Sequence, residues 1–233
     1  MKQKMLVISA HPGDFVWRSA GTIAKYVSDG WQVRIICLSY GARGESAAFY
    51  KTGGDYAACC EVRKAEAAGA AEALGAEICF SGYEDFCLDM SPERIRKLAE
   101  DILAFEPDII LTHDTGKDRV NPDHMITGRA VLEAYETAAE SGMKYAPVFG
   151  FEPMNPELCG YKADVYIDIT EVWDQKVKAM ECMQTQKKSR AAYEEKAVFR
   201  ASYAAGRGGN KGCRYAETFS RFFPICEFDD FAV

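Results

Sequence analysis

A chain of 233 residues, 48% hydrophobic and 27% charged, is long enough for one well-buried core and short for two, so a single domain over 1–233 is expected. Its net charge of −7, with no block rich in Lys or Arg to offset it, excludes a nucleic-acid footprint. No window approaches the roughly eighteen uninterrupted apolar residues of a membrane span, so no membrane partner is expected and the protein is read as cytoplasmic.

Apolar runs rich in β-branched residues recur at 4–9 (KMLVIS), 32–38 (QVRIICL), 77–80 (EICF), 108–112 (DIILT), 147–151 (PVFGF) and 164–169 (DVYIDI). Between and after them, helical apolar spacing covers 16–28, 59–74, 93–104, 124–139 and 172–183. This alternation predicts a parallel, doubly wound α/β sheet. Near the end, a loop broken by glycines precedes a short stretch, YAETFSRFF, that reads as helical. The nine cysteines are odd in number, form no CxxC pair and sit partly inside apolar runs, which predicts reduced thiols and no zinc knuckle.

In such sheets ligands bind outside the carboxyl ends of the strands. All three histidines, His11, His113 and His124, follow the first or fourth run, and Asp14, Arg43, Glu45, Asp114 and Asp123 fall in similar loops. His11, Asp14 and His124 together supply two imidazoles and one carboxylate, a donor set that suits a catalytic zinc with one position left for water. Asp14 can equally be read as the cap of the first helix, with His11 a satisfied loop histidine.

Three stretches tip that balance. ISAHPGDF, followed far downstream by NPDHMITGRAV, resembles the AHPDDE and HPDH motifs of the PIG-L/LmbE family of zinc-dependent de-N-acetylases, and EVRKAEAAGAAEALGAE resembles a helix of that family. The resemblance implies a three-layer α/β/α, Rossmann-like domain with a mostly parallel sheet, and one zinc ion held by His11, Asp14 and His124. Two positions depart from the family pattern. Gly13 stands where the family has the aspartate that deprotonates the metal-bound water, and Asn121 where it has a histidine that stabilises the oxyanion. Glycine accepts no proton, so amide cleavage by the family mechanism is not expected.

A narrower resemblance covers ISAHPGDFVWRSAGTIA, CLSYGARGES, FEPMNPELC and DITEVWDQKVKAMECM, which look like the 4-oxalomesaconate hydratases of aromatic-acid breakdown. Adding water to a conjugated double bond needs a base for the water, a cation for the developing enolate and an acid for carbon. The resemblance gives Glu45 the role of base; without it, Glu45 reads as a carboxylate stabilising a helix start. A triacid substrate calls for fixed cations, and Arg18, Arg43, Arg63, Lys117 and Arg119 lie near predicted strand ends or helix starts. Arg43 is the first choice, because it shares the Gly41–Gly44 loop with Glu45. Asn121 and Tyr215 complete the substrate-binding candidates, with Arg207 and Arg214 as further residues of a lid. Met154 occupies a position where these hydratases carry a histidine, so either Lys117, Tyr215 or His113 is the proton donor, or the protein acts on a different substrate from the typical hydratases.

The expected function is therefore a zinc-dependent hydro-lyase acting on a small anionic substrate. The alternatives are a zinc-dependent deacetylase of an amino sugar or small amide, with Glu45 or Asp123 as base, and an inactive protein that keeps the metal pocket for recognition. Apparent surface aromatics in FSRFFPICEF point to a homo-oligomer.

Overall fold

Strand β1 (Lys4–Ser9) sends Met5 and Val7 into one apolar core and Leu6 and Ile8 into another, the period-two alternation of a strand covered on both faces. The computed structural model describes residues 2–44, 46–116, 118, 120–206 and 211–223. After β1 come α1 (Pro12–Ser28), β2 (Gln32–Ser39), the single turn α2 (Ala47–Tyr50), α3 (Tyr56–Leu74), β3 (Glu77–Tyr83), α4 (Pro92–Phe105) and β4 (Ile109–His113). The second half comprises α5 (Pro122–Glu140), β5 (Val148–Phe151), the turn α6 (Pro156–Cys159), β6 (Val165–Asp168), α7 (Trp173–Cys182), α8 (Arg190–Ala205) and β7 (Ala216–Arg221).

The sheet order is β3-β2-β1-β4-β5-β7-β6, and only β7 runs against the rest. Residues of α1, α3, α7 and α8 build the core on one face, and residues of α4 and α5 build the other. The result is the expected three-layer α/β/α arrangement with a mostly parallel sheet. Among the described residues, no helix is long and apolar enough to cross a membrane. Because β1 pairs with β2 on one side and with β4 on the other, the chain reverses its winding between β1 and β4. The crevice beyond their carboxyl ends is where a ligand finds room.

Three expectations need correction. Helix α1 starts at Pro12, four residues earlier than its apolar spacing suggested, because proline is pre-organised for the first turn. The stretch read as helical in YAETFSRFF contains strand β7, since Ala216–Arg221 finds hydrogen-bonding partners on both sides, in β5 and β6. Helix α8, not anticipated, is anchored by Tyr193, Ala197 and Ala201, a narrow stripe at four-residue spacing that small side chains make inconspicuous.

Candidate metal centre

The first turn of α1 begins where β1 ends, so His11, at the helix N-cap, and Asp14, in the first turn, are delivered to the crevice together. The His11 backbone N–H donates to Asp14 Oδ2 at 2.8 Å, which fixes the carboxylate inward. Asp14 thus caps the helix and faces the histidines with the same side chain. His11 Nδ1 lies 3.2 Å from Asp14 Oδ2, and His124 Nε2, from the first turn of α5, lies 3.2 Å from Asp14 Oδ1. All three residues are buried, and their ligand atoms lie within 4.8 Å of one another.

The far nitrogen of each imidazole meets a carboxylate. His11 Nε2 is 3.0 Å from Asp123 Oδ2, and His124 Nδ1 is 2.8 Å from Asp118 Oδ2. A carboxylate behind an imidazole fixes the ring and raises its basicity toward a cation in front. Two such backed imidazoles and a carboxylate are a donor set that can hold a divalent metal ion. Burial pushes the Asp14 carboxyl up, but His124, His113, Arg18 and His11 outweigh it and hold Asp14 well below the usual carboxylate range. Asp118 is likewise held low: burial opposes ionisation, while the His124 ring and the Val120 and Asn121 N–H groups favour it more. Both groups are therefore ionised at neutral pH, the form a cation requires.

Asp123 is not available as a base. It is fully buried, and besides His11 it accepts from the Phe86 N–H at 2.8 Å and the Leu88 N–H at 2.7 Å. Asp85 plays a parallel part for the 41–44 loop, accepting from the backbone N–H groups of Ala42, Arg43 and Gly44 at 3.1, 2.8 and 2.9 Å. His113 stacks on His124 with ring centroids 4.4 Å apart, and the Ala10 N–H donates to its Nε2 at 3.1 Å. Burial lowers its pKa to about 3, so it is neutral and unsuited to donate a proton.

Beside the donor group opens a cavity of about 370 Å3, walled by Asp14, Arg18, Asn121, His124, Met154 and the Gln184–Ser189 turn, among others. Arg18 lies one helical turn after Asp14, 3.6 Å from its carboxylate, and the cavity also presents Lys187 and Lys188. Asn121 caps α5 through its side chain, which accepts from the Asp123 N–H at 3.1 Å, and it borders the same space.

Other candidates lie elsewhere. Arg43 pairs with Glu84 at 3.1 Å and covers the Tyr56 ring, outside the cavity wall. Arg63 is fully buried, donating to the Tyr40 carbonyl and to Thr185 Oγ1, so it supports the wall and does not face a substrate. Tyr215 stacks on Trp173 at 3.8 Å in a separate depression, and Arg214 is exposed with its N–H on Thr170. Glu45, Lys117, Arg119 and Arg207 lie outside the described residues. Gly44, the neighbour of Glu45, borders the cavity.

Position 13 is as closed as the sequence is bare there. A Cβ on Gly13 would sit 2.3 Å from Gln186 Oε1 and 2.8 Å from Trp17 Nε1. Sequence reasoning missed Gln186, Lys187 and Lys188, although the basic run KKSR just after a predicted helix was a visible signal. Asp85 and Asp118 carried no such signal, because their importance arises only from partners brought to them by folding.

The family model described as PIG-L, GlcNAc-PI de-N-acetylase, matches residues 6–135. The chain is 35% identical over 234 residues to a 4-oxalmesaconate hydratase of Pseudomonas putida KT2440, covering 96% of this chain and 90% of that protein. The crystal structure of the 4-carboxy-2-hydroxymuconate hydratase of Pseudomonas putida KT2440 superposes with a TM-score of 0.91 at 33% identity, over 99% of this chain and 100% of that one. An N,N'-diacetylchitobiose deacetylase of Pyrococcus horikoshii shares the fold, with a TM-score of 0.74 at 24% identity, covering 94% of this chain and 84% of that one. With its matched segment reaching from β1 into α5 and so spanning His11, Asp14 and His124, the chain belongs to the PIG-L family.

Proposed function

We propose that the protein is a zinc-dependent hydro-lyase that adds water across the carbon-carbon double bond of an unsaturated oxo-tricarboxylate of the 4-oxalomesaconate type, in aromatic-acid catabolism. The observation that carries this reading is the pairing of a metal-type donor group with a cavity that offers Arg18, Lys187 and Lys188 but no side chain at position 13. The nearly full-length likeness to a Pseudomonas putida hydratase, in sequence and in fold, supports it. Zinc suits two imidazoles and a carboxylate, and when bound it would stabilise negative charge developing on a substrate oxygen.

The chain's own residues divide the remaining work. Arg18, Lys187 and Lys188 provide positive charge for carboxylates, with Arg18 presented as a planar fork. Asn121 offers an amide at the rim. Glu45 is assigned the base, on its RGES sequence context and the position of Gly44 at the cavity. Neither His113 nor Tyr215 borders this cavity, whereas Tyr193, Lys187 and Lys188 do, so the proton for carbon is sought among those three and Lys117, which lies outside the described residues.

Amide hydrolysis, the activity in the family's description, requires a water-activating base; Gly13 has no side chain and Asp123 is enclosed, so that reading too would depend on Glu45. Purified protein is expected to consume the conjugated ultraviolet absorbance of oxalomesaconate and to release no acetate from N-acetylglucosamine derivatives. Acetate release without hydration would replace this reading by the deacetylase one.

A further inference from the structure

The Gln184–Ser189 segment is a pair of 3-10 turns, interrupted at Gln186 by a non-helical backbone (φ −120°, ψ 19°). It is tied down one residue earlier. Thr185 donates from its N–H and its hydroxyl to the Glu66 carboxylate, each at 2.7 Å, and its hydroxyl oxygen accepts from Arg63 Nη1 at 3.1 Å. Arg63 and Glu66 are buried on α3 and lie 3.5 Å apart, so the tether is anchored in the core.

The consequence of that tether is where Gln186 ends up. Its Oε1 accepts from Trp17 Nε1 at 3.3 Å, and Trp17 is stacked on Tyr193 at 5.6 Å. Trp17, Gln186 and Tyr193 all border the cavity beside Asp14. The amide therefore stands in the volume that any side chain on residue 13 would enter.

We propose that Gln186 is a specificity-determining residue: it fills the space opposite Gly13 and presents a neutral amide, in place of a carboxylate, to an anionic substrate. The part concerning the substrate's charge rests on the hydratase reading; the steric pairing of positions 13 and 186 does not. An amide donates to a carboxylate or enolate oxygen, whereas a carboxylate in the same place repels it. Gly13 and Gln186 are in this sense one feature, since a side chain at 13 is expected to be tolerated better once that of Gln186 is removed.

Two measurements test it. In a cycle of Gly13→Ala, Gln186→Ala and the double variant, each metal-loaded, Gly13→Ala is expected to lower the melting temperature by several degrees in the parent. In the Gln186→Ala background the drop should shrink by at least half, because the Trp17 ring can move into the emptied space. Equal drops in both backgrounds overturn the steric pairing. In the second, calorimetry with the saturated triacid tricarballylate is expected to show Gln186→Glu weakening binding tenfold or more, and Gln186→Ala weakening it less. Unchanged affinity in Gln186→Glu overturns the role in substrate charge, even if Gly13→Ala fails to fold. Failure of the parent protein to bind the triacid, with the melting-temperature coupling intact, would sink the hydratase reading while leaving the pairing in place.

Discussion

The Asp14 carboxylate accepts from the His11 backbone at 2.8 Å and faces the His11 and His124 rings, so capping the helix and facing a candidate metal position are one conformation of one side chain. The two readings left open by the spacing were never rivals. Behind the donor group, Asp118 and Asp123 set the ring orientations, and replacing either by Asn should weaken metal affinity roughly 10- to 100-fold with the fold intact. Metal titration monitored alongside circular dichroism checks this; unchanged affinity would deny them the role. Glu45→Gln should keep fold and metal while lowering hydration turnover about 100-fold or more, the usual weight of a positioned base. Full turnover in that variant removes Glu45 from the mechanism. Gly13→Asp should not raise hydration: its Cβ meets Gln186 and Trp17, and two like charges about 4 Å apart cost about 4 kcal/mol at an effective dielectric near 20. The His11–Asp14–His124 donor group was legible because two short motifs place its members at the starts of α1 and α5, just beyond the ends of β1 and β4. Asp85 and Asp118 were not, since a carboxylate's partners across the fold leave no trace in its neighbours along the chain.

Helix α1 carries Asp14, Trp17 and Arg18 into the site, and its hydrogen bonding is entered from outside. Lys176 Nζ donates to the Trp17 carbonyl at 2.9 Å, while Glu217 accepts from the Gly21 N–H at 2.9 Å and the Thr22 N–H at 2.7 Å. Lys176 and Glu217 are themselves paired at 2.5 Å and buried, so α7 and β7 clamp α1 at mid-length. Breaking such a pair from one side leaves an uncompensated charge, and Lys176→Met should cost about 3–5 kcal/mol. Adding Glu217→Gln should recover part of that loss, because the amide oxygen still accepts from the helix; urea denaturation of the three variants measures it, and additive losses would refute the coupling. Why β7 escaped sequence reasoning is visible at the same place. AETFSR has no apolar-polar alternation to reveal a strand, and it becomes one because β5 and β6 stand on either side to pair with it. By contrast β1, β2 and β4 were legible from their β-branched runs alone, since strands covered on both faces are apolar throughout.

At the scale of the whole molecule, the reversal of winding between β1 and β4 explains why residues that the sequence placed only after strand ends gather at one crevice. The oligomer expectation loses its original ground, because Phe219 is buried and Phe222 and Phe223 pack against the core, while residues 224–228 lie outside the described residues. Exposed Val198, Phe199 and Tyr203 on α8 now support it instead, and light scattering above the 25.9 kDa monomer mass is the expected result. The last expectation concerns acid. Glu152, just past β5, accepts from Arg200 and Thr218 and lies 3.4 Å from Lys196, joining α8 to β5 and β7. Burial pushes its carboxyl up, but Arg200, Lys196 and Thr218 together hold it below its ordinary value of 4.5. A carboxylate with a depressed folded pKa binds protons more readily when unfolded. Its contribution to stability is therefore complete above about 4.5 and is lost as the pH falls through the folded value. Glu152→Gln, which removes the charge but not the shape, should be less stable than the parent at pH 7 and converge with it as the pH falls below the depressed folded value. Melting curves measured at intervals across that range decide the matter: two lines that stay parallel would mean that Glu152 contributes nothing to the acid sensitivity of the fold.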